Sequence, residues 1–375
     1  MSLLKIDGDI LTPQGFVRGA VHIENGQVRQ VAGVPIAEDQ VRNSGQALVL
    51  PGFIDLHVHG GGGSDIMEGA QAAVHIARLH ARHGTTALLA TTMTAPLADI
   101  RNAVAALAPA VAQRARGAAR ILGVHLEGPY INPGKLGAQP NYARTASLAE
   151  IAALHTVAPI RVVTLAPELI DNPELIGDLI GAGARVQIGH TLGSYEDGVA
   201  ALDRGASGFT HLFNAMTRMH HREPGMVGAA LAHAKYSEII PDLLHVHPGA
   251  IRAALRAIPC LYCVTDSTAA SGMPDGDYRL GRHRVTKCLG GVRLPDGTLA
   301  GSTLTMDQAL RNLVNIGLTL TDASARVSTH AADYLGLADR GRVRPNAWAD
   351  IVVLDRDLKL QRTIVEGEEI DLAHV

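Results

Sequence analysis

The sequence predicts an α/β protein: a (β/α)8 barrel of the TIM kind with a small β-sandwich domain formed from both chain ends. Three observations predict it. Between residues 50 and 340, eight short apolar runs alternate with helical patterns. Residues 1–49 and 341–375 instead read as short strands broken by Gly, Asn and Pro turns. The composition, 47% apolar with only 3% aromatic, requires a core of Ala, Val, Leu and Ile, as in buried parallel sheets.

From Leu4 to Val49 the pattern is strand-like, as in FVRGAVHIENGQV, with no helical stretch of useful length. The stretch from Gly341, GRVRPNAWADIVVLDRDLKLQRTIVEGEEI, has the same character. Neither piece alone can bury a core, so the two are expected to pair. The barrel opens with ALVLPGFIDLHVH, a helical segment from Ala70 to His83, TTALLATTMT, and a second helix from Leu97 to Gln113. Its remaining strand runs are RILGVHLEGP, IRVVTLAPE, RVQIGHT, SGFTHLFNA, EIIPDLLHVH and CLYCVTDST. An open doubly wound sheet fits less well, because Gly60 to Gly63 lack the spacing of a dinucleotide fingerprint. After the last strand, Asp277 to Leu299 reads as a hairpin-like insertion, around 277–300, with an Asp-Gly turn and a place over the barrel mouth. Helices from Thr305 to Leu337 then close the barrel.

The 33 basic and 36 acidic residues, a formal net charge of -3, offer no broad field for nucleic acid or an anionic membrane. An anionic ligand must therefore be held locally. Three cysteines cannot build a disulfide framework; Cys260 and Cys263 are expected as core thiols of a reducing compartment. No basic start precedes an apolar signal core, and no run of about 20 apolar residues occurs. A cytoplasmic protein is the expectation.

Barrels of this kind carry their active sites at the C-terminal ends of the strands, so the polar residues that end the apolar runs are the informative ones. The first run ends in His57 and His59, the third in Glu127, the fifth in His190, the sixth in His211, the seventh in His245 and the eighth in Asp266. His57 and His59, two apart on a strand, project to one side and can grip one divalent ion. Glu127 can bridge two ions, or serve one ion with His190 and His211, leaving a coordination position open for water. Open coordination points to catalysis. Asp266 is not needed as a ligand, so it is free to take a proton from an attacking water and pass it to a leaving amine. The pattern implies a metal-dependent hydrolase barrel.

The motifs PGFIDLHVHG at Pro51, HLEGPY at His125, GHT at Gly189, THLFNAM at Thr210, REPG at Arg222, DLLHV at Asp242 and VTDS at Val264 resemble the amidohydrolase superfamily, and within it the family of N-acetylglucosamine-6-phosphate deacetylases. The resemblance spans nearly the whole chain. It implies hydrolysis of the acetamide of N-acetylglucosamine 6-phosphate to glucosamine 6-phosphate and acetate, without a covalent intermediate, in amino-sugar catabolism. It also implies one or two divalent ions per subunit, zinc first and iron as the alternative. Glu127, His190 and His211 would hold the principal ion, and His57 and His59 a second one with Glu127. Asn214, Ala215 and Arg222 would bind the sugar phosphate and His245 the sugar or phosphate, with Arg222 reaching the neighbouring subunit's site of a homodimer.

One departure stands out: where some members place a carbonyl-polarising histidine in the loop after the third strand, this chain has Gln139. That leaves polarisation to a second ion or to Gln139, or implies a different substrate. Cyclic-amide hydrolases of the dihydroorotase kind use a carboxylated lysine at the fourth strand, and IRVVTLAPE contains none. The galacto epimer of the substrate leaves no mark in these motifs. His125 and His247 are expected to be packed or supporting histidines rather than ligands.

Overall fold

The computed structural model describes residues 3–41, 44–171 and 174–373. At the N-terminus β1 (Leu3–Thr12), β2 (Gly15–Glu24) and β3 (Gln27–Ile36) form an antiparallel meander, and β4 (Leu48–Pro51) pairs parallel with β1 as the chain enters the barrel.

Eight parallel strands follow among the described residues: β5 (Phe53–Val58), β6 (Thr85–Thr92), β7 (Arg120–Glu127), β8 (Ile160–Leu165), β9 (Arg185–Ile188), β10 (Gly208–Phe209), β11 (Tyr236–Ile239) and β12 (Cys260–Cys263). One ladder runs from β5 through β10, and β11 pairs with β12. Two seams complete the ring. Leu212 N donates to Glu238 O at 3.0 Å, and Asp266 N donates to His57 O at 2.9 Å beside a parallel bridge between Val58 and Ser267. β5 and β6 are buried along their whole length, because side chains fill the barrel on one face and helices cover the other.

Each strand is followed by a helix: α1 (Ala70–Arg82), α2 (Leu97–Ala112), α3 (Leu148–His155), α4 (Leu175–Gly181), α5 (Tyr195–Asp203), α6 (Gly225–His233), α7 (Pro248–Ala257) and α8 (Met306–Asn315). α1 buries Ala73, Ile76, Ala77, Leu79 and His80, the stripe its sequence period prescribes. α5 starts at a capping box in which Ser194 accepts from Asp197 N and Asp197 accepts from Ser194 N.

The insertion is a three-stranded antiparallel sheet, β13 (Gly276–Leu280), β14 (His283–Cys288) and β15 (Gly291–Arg293), packed on the mouth through Met93, Leu280, Val285 and Val292. The chain then returns to the first sheet with β16 (Ile351–Leu354), β17 (Leu360–Val365) and β18 (Glu368–Glu369). Both ends thus enter one seven-stranded sheet, in the order β18-β17-β16-β4-β1-β2-β3. It curls until Gln27 of the edge strand bridges Trp348, wrapping a core of Ile10, Val21, Val49, Ile351 and Ile364. This is how two segments too small to fold alone share one core.

A turn of this sheet is tied to the barrel. Glu366 accepts from Arg114 at 3.0 Å and from Arg120 at 2.8 and 2.9 Å, and also pairs with Arg340, which in turn pairs with Asp350. No helix among the described residues is long and apolar enough to cross a membrane.

Candidate metal centre and active site

The strand ends converge. His57 lies within β5 and His59 just beyond it, Glu127 is the last residue of β7, and His190, His211 and Asp266 follow β9, β10 and β12. All six are buried. His190, His211 and Asp266 take positive φ values of 49°, 31° and 50°. Non-glycine residues hold that conformation at a cost of about 1–3 kcal/mol each, tolerated where the surroundings fix it and the side chain must be aimed. Gly189, just before His190, has no room for a side chain: a Cβ there would lie 2.8 Å from both Thr164 Cγ2 and Thr210 Cβ. Asn214 braces the His211 turn by donating to the carbonyls of His211 and Leu212.

The ring nitrogens reveal what the centre holds. Nδ1 of His59 donates to Thr91 O at 3.2 Å, Nδ1 of His190 to Lys135 O at 2.8 Å, and Nδ1 of His57 to Glu238 Oε2 at 3.0 Å. Each bond assigns the proton of a neutral imidazole to Nδ1 and leaves a lone pair on Nε2. Those lone pairs all point at one carboxylate. His59 Nε2 lies 3.1 Å from Glu127 Oε2, while Nε2 of His190, His211 and His57 lie 3.1, 3.1 and 3.4 Å from Glu127 Oε1. The nitrogens also face each other in pairs, His57 with His59 and His190 with His211, both at 3.1 Å. Lone pairs so opposed repel unless protons or a cation lie between them. The donor set therefore fits a divalent metal, in two groups that share Glu127: His57 and His59 on one side, His190 and His211 on the other.

The electrostatics of these side chains agree. Burial acts to lower the pKa of His57, but the charges of Glu127, Asp266 and Glu238 raise it well above the ordinary value. Burial is likewise overcome at His59, which Asp266 and Glu127 push up to about 9. Burial would raise Glu127, yet the charge of His57 and the hydrogen bonds of His190 and His211 hold it well below the carboxylate range. Asp266 is also held low, by His57 and His59 against burial.

A third cluster, His57, His125 and Glu238, is close enough to suggest a further ion, but its chemistry does not fit one. His125 donates from Nδ1 to Leu56 O at 2.9 Å, and its Nε2 is taken by the Thr164 hydroxyl at 2.7 Å. Burial and the charge of His57 lower its pKa to about 4. It is a packed, neutral support.

Above the centre opens a cavity of about 330 Å³, the size of a small-molecule site. Asn214, Ala215, His245, Gln139 and Asp266 line it, with Leu280, Thr298 and Leu299 from the insertion and its following turn forming one wall. Gln139 donates through Nε2 to Glu127 Oε2 and accepts Thr94 N at 2.7 Å. Its amide is thus aligned at the rim of the centre, with one N–H engaged. His245 pairs through Nδ1 with Asp242 at 2.6 Å, which raises its pKa although burial acts to lower it. Arg222 does not enter this cavity. It is exposed, contacts His221 at 2.8 Å, and lines a separate depression with Ser194, Tyr195 and Arg218.

Two smaller expectations need correction. His247 is exposed and caps α7 by accepting from Gly249 N at 3.0 Å, because the Pro248 that follows has no N–H to offer. Cys260 is half-buried at the start of β12, while Cys263 is in the core. Sequence reasoning missed Glu238, a buried carboxylate inside an apolar run, and Glu168, which accepts Asn132 Nδ2 at 2.9 Å and Leu192 N at 2.7 Å and so binds two mouth loops together. A carboxylate interrupting an apolar strand was the available signal for Glu238.

A closed barrel whose C-terminal mouth gathers histidines and carboxylates around a shared glutamate defines the class of metal-dependent hydrolases. The chain belongs to the amidohydrolase family, whose sequence model matches residues 48–370. It is 38% identical over 368 residues to an N-acetylgalactosamine-6-phosphate deacetylase of Escherichia coli O157:H7, covering 96% of this chain and 97% of that one. It is 36% identical over 357 residues to an N-acetylglucosamine-6-phosphate deacetylase of Lysinibacillus sphaericus, covering 92% of each. Among solved structures, it is similar to an aspartate-to-alanine mutant of N-acetyl-D-glucosamine-6-phosphate deacetylase from Mycobacterium smegmatis in complex with N-acetyl-D-glucosamine-6-phosphate. That match has a TM-score of 0.89 and 33% identity, over 99% of this chain and 100% of that one.

Proposed function

We propose that this protein hydrolyses the acetamide of N-acetyl-D-glucosamine 6-phosphate to D-glucosamine 6-phosphate and acetate. The observation that carries the reading is the convergence of imidazole lone pairs on Glu127 beside an ionised Asp266, in a chain whose relatives are named as amino-sugar phosphate deacetylases. Glu127, His190 and His211 would hold the principal ion, and His57 and His59 would hold a second with Glu127. Zinc suits the histidine and carboxylate donors, and iron is the alternative. When bound, the metal supplies Lewis acidity, which polarises the acetyl carbonyl and makes the attacking water more acidic.

The chain's own groups do the rest. Asp266, kept as a carboxylate, accepts the proton of the attacking water as its oxygen bonds to the acetyl carbon. It then delivers that proton to the sugar nitrogen as the C–N bond breaks; the second proton of the water passes from the nascent acetic acid to the amine, so acetate and the sugar ammonium leave and the carboxylate is regenerated. Gln139, which lines the cavity and has one of its two N–H groups bound to Glu127, assists the carbonyl oxygen with the other in place of a histidine. Asn214, Ala215 and His245 bind the sugar phosphate. The phosphate also needs a guanidinium; because Arg222 lies outside its own cavity, the partner of a homodimer supplies it. A phosphorylated sugar does not cross membranes unaided, so the reaction belongs in the cytoplasm, where unpaired Cys260, Cys263 and Cys288 are also at home.

A second reading, the N-acetylgalactosamine 6-phosphate substrate, is favoured by the 38% identity to the E. coli enzyme of that name. Acetate release from the gluco sugar phosphate, its galacto epimer and free N-acetylglucosamine separates the two. Preference for the gluco ester supports the proposal, preference for the galacto ester supports the second reading, and no release from either ester overturns both.

A further inference from the structure

Glu238 is a fully buried carboxylate in the middle of β11, with no place in the reaction as derived so far. Burying such a charge is costly unless it is paired. Among the described residues no lysine or arginine pairs with it. Its Oε2 accepts two hydrogen bonds, from His57 Nδ1 at 3.0 Å and from the backbone N of His211 at 3.2 Å. Its Oε1 has only the Tyr262 hydroxyl at 3.5 Å, with His125 Nδ1 at 4.0 Å.

One oxygen therefore reaches both halves of the centre. On one side it fixes the tautomer of His57, so that the Nε2 lone pair faces Glu127. On the other it holds the N–H of His211, whose backbone sits at φ 31° and gains nothing from staying there unless something fixes it. The His211 ring has no such support of its own, since its Nδ1 is buried with no partner among the described residues. For His211 the backbone contact substitutes for the ring contact that the other three histidines have.

We infer that Glu238 is a positioning residue that couples the two ion positions: it orients and enriches the His57 ligand of the second ion while locking the turn that aims His211 at the principal one. A carboxylate behind a ligating imidazole raises the basicity of the far nitrogen, and removing such a partner typically weakens metal affinity by about 10- to 100-fold. The inference rests on the metal-centre reading above.

The test uses the full chain, as wild type and as Glu238→Gln and Glu238→Ala, with zinc as the probe. Chelator-competition titration gives the affinity and stoichiometry, and thermal melting of the apo proteins reports folding. Glu238→Gln keeps an amide oxygen that can accept both bonds but removes the charge. It is expected to melt close to wild type while the weaker of its zinc affinities falls about 10- to 100-fold. Glu238→Ala is expected to weaken both. Steady-state kinetics give a second readout, a fall in kcat that added zinc partly restores. Wild-type zinc affinity in both variants, or loss of melting temperature without loss of affinity, would overturn the inference. Failure of the wild type to bind zinc at all would instead sink the metal-centre reading, so the two failures are distinguishable.

Discussion

At single residues, the proposed chemistry rests most on Asp266 and Gln139. Asp266 sits at φ 50° with its Oδ1 3.4 Å from His59 Nε2 and 3.5 Å from His57 Nε2, close enough to the centre to exchange a proton there. Replacing it with Asn preserves size and most hydrogen bonds but removes the proton acceptor. Asp266→Asn is expected to lower kcat by about 10² to 10⁴ while substrate binding, followed by calorimetry, stays within a few fold. Near-wild-type kcat would show that another group takes the proton. Gln139 was legible as a departure in the sequence, but its orientation was not: the bond to Glu127 depends on the Thr94 N–H, which belongs to the loop after a different strand. The same holds for the orienting carbonyls of Thr91 and Lys135, since every residue offers a carbonyl and only the fold says which one meets a ring.

At the level of elements, the turn between β17 and β18 anchors the terminal sheet to the barrel. Glu366, with 9% of its side chain exposed, gathers Arg114, Arg120 and Arg340. Burial would raise its pKa, but the guanidinium groups of Arg120 and Arg340 bring it down to about 2 from an ordinary value of 4.5. A folded-state pKa below the unfolded one contributes stability that is complete above the unfolded value and is lost as pH falls towards the folded one. Thermal melts should therefore show Glu366→Gln destabilised by about 2 kcal/mol at neutral pH, with the gap to wild type narrowing from about pH 4.5 down to about pH 2. A gap independent of pH would mean the carboxylate charge contributes nothing. The barrel strands were legible because both faces are buried and the runs are nearly all apolar, and the helices because they keep a 3.6-residue stripe. Glu238 escaped for the same reason: a single acid in SEII reads as the polar face of a strand until β12 and the His57 ring are seen to cover it. The joining of both chain ends into one sheet was legible only as mutual need, since pairing between β4 and β16 is 300 residues apart in sequence and leaves no local mark.

At the scale of the whole molecule, no arginine among the described residues lines the cavity of one chain, and Arg222 stands exposed in a separate depression. If a second copy supplies it, Arg222→Ala should weaken kcat/KM on the phosphorylated sugar by about 10- to 100-fold, the worth of one charge-assisted hydrogen bond, and leave the free sugar unchanged. Equal losses on both sugars would contradict a phosphate contact, and a monomer in sedimentation at assay concentration would contradict its delivery in trans. The proposed mechanism makes amide hydrolysis depend on metal held by Glu127, His190 and His211. It is tested most directly by stripping the protein with chelator, returning zinc in known amounts, and measuring acetate released from N-acetylglucosamine 6-phosphate against ion bound per chain. Negligible release is expected from the stripped protein, with recovery in proportion to bound zinc. Undiminished acetate release from protein shown to be free of metal would contradict it.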